Sequence, residues 1–240
     1  MALVDGRGAR GALIAGRTCA ASGWLLWVLM QALADDPFPP EISISQYGLG
    51  EFGWVFTVWA LTLAAAPLLL LSSLPSERSP APRPSAERCR CVDDSLAGAR
   101  PVRAAPVPGP AAAMLWVGFA GAAVMAFVRT DEGGGAMSWH AQVHMVGAIV
   151  ALVFLPLGIL AAGRAAGPWA RRVAVVLVVA AAVVGALVVV SAAGVDTAGL
   201  GGTRSWALWQ GTLVVIDMLL VSVYAAAVGQ SRIRAADPGR

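Results

Sequence analysis

Six apolar stretches, at approximately 18–34, 52–74, 111–128, 140–162, 172–194 and 206–229, constrain this chain of 240 residues more than any motif it carries. About 20 apolar residues are needed for a helix to cross the hydrocarbon of a bilayer. Lipid offers the backbone no hydrogen-bond partner, so an open chain crosses it as α-helix. The stretches therefore predict an all-α fold, a polytopic membrane helical bundle of about six transmembrane helices. Composition agrees, with 58% hydrophobic and 13% charged residues, against roughly 25% charge in soluble domains.

The arginines orient the bundle. Fifteen of seventeen fall at 7–17, 78–103, 164–172 and 232–240, on the same side of alternating connections. Arg129 and Arg204 lie opposite, with Asp35, Asp36, Glu41, Glu51, Asp131, Glu132 and Asp196. The positive-inside rule makes the arginine side cytoplasmic and places both termini there. The predicted organisation is a cytoplasmic tail over 1–17, two spans within 18–74, a cytoplasmic linker over 75–110, four spans within 111–229 and a tail over 230–240. The arginines lie in connections and tails rather than along a basic face interleaved with aromatics, so no nucleic-acid partner is expected. Lysine is absent, which excludes Schiff-base and P-loop lysine chemistry.

Two segments have rival readings. The basic start, short apolar run and Ala32-Leu33-Ala34 of the first span imitate a cleaved signal peptide, whereas Trp24, Trp27 and a long polar lead favour retention. Retention is the expectation. The Pro-, Ser- and Arg-rich stretch 75–110 has too little apolar surface to fold alone and reads as disordered. Its Cys89-Arg90-Cys91 lacks companion ligands and reads as reduced thiols, and Cys19 as packing.

Polar residues inside the spans are the candidates for function, because each is expensive in hydrocarbon. His140 and His144, four apart, point the same way from the fourth span. With no third histidine a bis-histidine haem is excluded, and His140-Ala141-Gln142-Val143-His144 lacks the glutamate of a zinc-protease motif. Asp131 or Glu51 could join the histidines on zinc, but nothing fixes a third ligand, so neither metal nor cofactor is predicted. On the sixth span Trp206, Gln210, Leu213, Asp217 and Tyr224 share one stripe. Asp217 stands eleven residues below Trp206, about 16 Å, near the bilayer centre. There it must be protonated, paired or hydrated, and an interhelical hydrogen bond is as good a reading as catalysis. Tyr47, Glu51 and Trp54 form a second stripe, and Trp24, Trp27 and Gln31 a third. Together Gln31, Glu51, Trp54, His140, His144, Trp206, Gln210 and Asp217 predict an outward-opening cavity with a tryptophan-rich wall. The blander reading of the tryptophans is an interfacial belt.

Ser45-Gln46-Tyr47-Gly48-Leu49-Gly50-Glu51-Phe52-Gly53-Trp54, and then Phe127-Val128-Arg129-Thr130-Asp131 followed by His140 and His144, resemble the bacterial membrane family called domain of unknown function 998. The resemblance implies six helices in a bacterial cytoplasmic membrane and an outer site around Thr130, Asp131 and His144. Glu132-Gly133-Gly134-Gly135 departs from the prolines of that family's loop. No reaction is implied.

Three functions fit these residues. One is binding of a lipid, quinone or isoprenoid-like molecule from the membrane in the outer cavity, with Trp54, Glu51, His140, Gln210, Trp206 and Gln31 as ligand contacts. A second is an intramembrane enzyme acting on such a molecule, with Asp217 or Asp131 as general acid beside His144, terpene cyclisation being one case. The third is proton-coupled transport on Asp217, with Pro67 and Pro156 breaking spans two and four.

Overall fold

The computed structural model describes residues 6–34, 40–74, 109–131 and 137–236. The cysteine pair and nearly all of the linker, 75–108, lie outside them. The described chain is all-helical: α1 (Gly6–Ala34), a short 3-10 helix (Ile44–Gly48), α2 (Gly53–Ser73), α3 (Gly109–Phe127), α4 (Trp139–Ala166), α5 (Pro168–Ala192) and α6 (Gly202–Ala236). All six α-helices are long and apolar enough to cross a membrane.

Several helices outrun the apolar stretches. α1 starts at Gly6 and carries Arg10 and Arg17, and α6 runs on through Arg232 and Arg234. Arginine is a good helix former whose long stem lets the charge reach water, so the helix need not stop where the hydrocarbon does. α4 and α5 are separated by Gly167 alone, at φ 117°, a left-handed conformation natural to glycine. Arg164, Arg171 and Arg172 thus lie on helices rather than in a loop. Both internal prolines are accommodated without a break: α2 continues through Pro67 and α4 through Pro156.

Successive helices pack as neighbours, and α6 returns to contact α1 and closes the ring. α2 and α6 are the most buried spans, whereas α5 is the most apolar and the least buried, with Val175, Val176, Val179 and Val183 on its outer face. Lipid tails are as apolar as those valines, so burial gives no hydrophobic drive for helix association, and close backbone packing must supply it. Small residues do so at the α3–α4 crossing. A Cβ added to Gly121 would stand 2.7 Å from the Gly147 carbonyl oxygen, and one on Gly147 would stand 2.8 Å from the Gly121 oxygen. Gly118 faces Leu155 and Gly158 faces Leu115 at similar range, with Ala122 and Ala151 buried between.

Hydrogen bonds add to this packing. The Trp24 indole donates to Ser222 Oγ at 2.9 Å, joining α1 to α6, and the Thr57 hydroxyl donates to the Ala126 carbonyl at 3.0 Å, joining α2 to α3. The eight described arginines at the terminal end of the bundle oppose Arg129, Arg204, Glu41, Glu51, Asp131 and Asp196 at the other. These are called below the arginine end and the acidic end.

Gly121→Val is expected to lose about 1–3 kcal/mol of stability, because the Gly147 backbone cannot yield as a side chain would. Gly211→Ala, where an added Cβ meets nothing within 4 Å, is expected to be neutral or to gain up to about 1 kcal/mol. Thermal unfolding of both variants in detergent checks the contrast.

Candidate functional site

The site is built at the acidic end, where the connection from α3 folds back to start α4. Ser138 caps α4, its hydroxyl oxygen accepting the Ala141 N–H at 3.1 Å. The same hydroxyl donates to Asp131 Oδ1 at 2.6 Å, and the Ser138 N–H donates to Oδ2 at 2.7 Å. Both carboxylate oxygens of Asp131 are therefore engaged in holding the start of α4. The Ser138 hydroxyl holds the Asp131 carboxyl below the usual carboxylate range, helped by the Ser138 backbone N–H, with partial desolvation opposing and His140 adding a smaller pull.

Six residues further on, His144 is buried with its Nδ1 2.7 Å from the Val128 carbonyl oxygen. A carbonyl oxygen only accepts, so Nδ1 carries the proton, and the tautomer with one proton leaves Nε2 as the acceptor. No described residue reaches that Nε2. The imidazole stacks on Phe56 of α2 with ring centroids 6.3 Å apart. Phe56 packs on Trp59 at 5.8 Å and Trp59 on Trp27 of α1 at 5.7 Å. The Trp59 indole N–H is likewise buried without a partner among the described residues. From α6, Asp217 Oδ1 is the third such atom.

All three residues line one cavity of about 490 Å³, within the size range of small-molecule sites. Its floor and walls are otherwise chiefly apolar, with Leu63, Leu152, Ile159, Leu213 and Val221 among them, and Ser43 and Gln46 of the 3-10 helix region close the acidic end. Pro156 also lines it and has no N–H to return to the Leu152 carbonyl. The remaining unpartnered buried polar atom among the described residues, the Tyr224 hydroxyl, lies in a separate crevice by Gly163 and Ala174, toward the arginine end.

The cavity is not sealed. Met145 and Ile149 of α4 and Val189 and Ala192 of α5 both line it and lie exposed on the side of the bundle. α4 and α5 meet at Gly167 at the arginine end, and these four residues lie on their other halves, toward the exposed Met137 that also lines the cavity. Ile149 lies ten residues along α4 from Trp139, about 15 Å, so the mouth reaches well into the span.

Of the residues predicted from sequence, Asp131, His144, Trp206, Gln210 and Asp217 line this cavity. The α6 stripe holds as far as Asp217, and Tyr224 continues it into the separate crevice. Gln31 does not reach the cavity, its Oε1 accepting the Tyr47 hydroxyl at 3.4 Å. Glu51 and Trp54 are exposed and outside it. Their stripe assumed an unbroken helix from Tyr47, but the 3-10 helix ends at Gly48 and α2 starts at Gly53, where a Cβ would collide with the Gly48 oxygen. The turn between them resets the facing, and Trp59 rather than Trp54 enters the cavity. Phe56, Trp59, Ala60 and Leu63, spaced as one helical face, carried that signal. His140 is exposed and packs on Trp139 in a tilted arrangement, ring centroids 3.7 Å apart. Among the described residues no three His, Cys, Asp or Glu side chains gather closely enough to hold a metal ion.

The opposite rim is a well-bonded loop. Asp196 accepts the N–H groups of Leu200 and Gly201, each at 2.9 Å, and the Ser205 hydroxyl at 2.6 Å. These donors, Ser205 foremost, lower its carboxyl from 3.8 to about 2. Thr197 bonds Ser191 at 2.5 Å and accepts the Trp209 indole at 2.8 Å. Arg204 pairs with Glu41, joining the start of α6 to the chain before the 3-10 helix.

A ring of six spans around an apolar cavity with a few converging polar groups defines a multi-pass helical membrane protein. The chain belongs to the family described as protein of unknown function (DUF998), whose model matches residues 95–227. The match takes in α3 to α6, and with them Asp131, His144 and Asp217, while Ser45–Trp54 and Trp59 lie outside it. No curated protein and no solved structure matches the chain.

Asp217→Asn is expected to keep thermal stability within about 1 kcal/mol, because no hydrogen bond within the described bundle is lost. A loss above about 3 kcal/mol would instead mark a buried structural partner. For Asp196, a lowered folded-state value means that its contribution is present above pH 3.8 and is lost as pH falls through about 2. The difference in melting temperature between wild type and Asp196→Ala should therefore be steady from pH 5 to 7 and close toward pH 2.

Proposed function

We propose that this protein binds a hydrophobic membrane molecule, a lipid, quinone or isoprenoid, in the cavity at the acidic end. The observation that carries the reading is that three of the residues lining one mainly apolar cavity, Trp59, His144 and Asp217, each hold a buried polar atom without a partner among the described residues. An unsatisfied buried polar group costs roughly 1–3 kcal/mol, and a bound molecule with its own polar head offsets part of that. The lateral mouth suits a ligand drawn from the bilayer. Trp206 and Gln210 complete the contacts, and the positive-inside rule places the arginine end in the cytoplasm of a bacterial cell and the cavity in the outer half of its cytoplasmic membrane.

Asp217 supports a second reading, an intramembrane enzyme. A carboxyl group facing an apolar cavity, with no bond within the bundle, is the arrangement a general acid needs. Asp131 is the weaker candidate, since both of its oxygens are committed to Ser138.

Native mass spectrometry with lipid extraction tests the binding reading. The protein purified in mild detergent is expected to carry an apolar molecule, and Ala148→Phe, which fills the cavity from α4, to lose it while remaining folded. A wild-type protein that retains nothing, and that is not stabilised by added native lipid extract, contradicts the reading.

A further inference from the structure

We propose that the molecule held in the cavity is an uncharged alcohol, gripped by its hydroxyl at His144 with its hydrocarbon chain leaving between α4 and α5. The proposal rests on the cavity-binding reading and narrows it to one ligand chemistry.

The tautomer of His144 carries the argument. Its Nδ1 proton is spent on the Val128 carbonyl at 2.7 Å, so the buried Nε2 can only accept. A ligand atom that satisfies it must bring a hydrogen. Quinone carbonyls, esters and ethers bring none, whereas a hydroxyl does. The Trp59 indole, set apart from His144 by the Phe56 ring between them, can only donate. At His144 a hydroxyl supplies the hydrogen that the acceptor needs. An ammonium head brings hydrogens too, but would carry a charge into a mainly apolar cavity. Phosphate heads fit worse still, because no arginine lines the cavity and its acidic members are Asp131 and Asp217.

Size and shape set the rest of the molecule. A volume of about 490 Å³ lies within the range of sites for small molecules. A hydrocarbon chain too long for it would extend past Met145 and Ile149 on one side and Val189 and Ala192 on the other. The exposed faces of these four residues carry no charge and no hydrogen-bonding group, as a passage for hydrocarbon requires. Met145 and Ile149 lie within the span at the depth of acyl chains, so an alcohol dissolved in the leaflet enters sideways.

Matched probes test this on the wild-type protein in lipid nanodiscs. Farnesol, farnesyl methyl ether and farnesylamine share one hydrocarbon chain, and their affinities are read by competition against tritiated farnesol. Farnesol is expected to bind at least about tenfold more tightly than the ether, which would leave Nε2 unmet. His144→Ala is expected to bring the two within about twofold of each other. Should that variant fail to fold, the wild-type ratio still decides. Equal binding of farnesol and its ether overturns the hydroxyl assignment and leaves the cavity-binding reading standing. Tighter binding of the amine overturns it in favour of a cation site on Asp217. No binding of any of the three removes this proposal, and if a lipid extract also fails to bind, the cavity-binding reading falls with it.

Discussion

Hydrocarbon supplies no hydrogen-bond partners, and that constraint sorts nearly every polar side chain in this bundle. Those that find a partner on another segment become ties between helices: Trp24 to Ser222, Thr57 to the Ala126 carbonyl, His144 Nδ1 to the Val128 carbonyl. Of those that find none, Trp59 Nε1, His144 Nε2 and Asp217 Oδ1 belong to residues that line one cavity, and the Tyr224 hydroxyl lies in a separate crevice. His144 belongs to both groups. Its structural bond fixes which nitrogen is bare, so the tie that fastens α4 to the end of α3 also defines the chemistry offered to a ligand.

The cavity exists because the helices pack unevenly. At the α3–α4 crossing, glycines let the backbones approach until an added Cβ would collide. α5 has no comparable seam against α4, where large valines face outward, and it leans instead on α6. Joined to α4 through Gly167 at one end, it separates at the other and leaves the mouth lined by Met145, Ile149, Val189 and Ala192. Asp131 and Asp196 brace the rims on either side of that opening, each through hydrogen bonds to nearby serine and backbone groups. The Thr130-Asp131 and His144 pattern thereby acquires a physical reading: Asp131 sets the start of α4, and His144 stands in the position so fixed.

Sequence carried the architecture because the penalty for charge in lipid is large and acts on every residue of a span. Six apolar stretches gave six helices, and the α6 stripe from Trp206 to Asp217 faced the protein interior as its spacing required. Where the chain leaves regular helix, spacing ceased to be a guide. The break between Gly48 and Gly53 turned Glu51 and Trp54 outward and brought in Trp59, and His140 lies on the surface against Trp139 although His144 one turn on is buried. The bare Nε2 was beyond any sequence pattern, since it depends on a single carbonyl from the preceding connection. Helix ends were blurred for a milder reason, because arginine continues a helix past the apolar boundary.

The account turns on which nitrogen of His144 is free and whether a ligand meets it. Nitrogen-15 magnetic resonance of histidine-labelled protein in nanodiscs reads this directly, with His140→Gln used to separate the two rings. The expected spectrum shows His144 protonated on Nδ1 and bare on Nε2 in stripped protein, with the Nε2 resonance moving when native lipid extract is returned. A ring protonated on Nε2, or an Nε2 resonance indifferent to the extract, would contradict it.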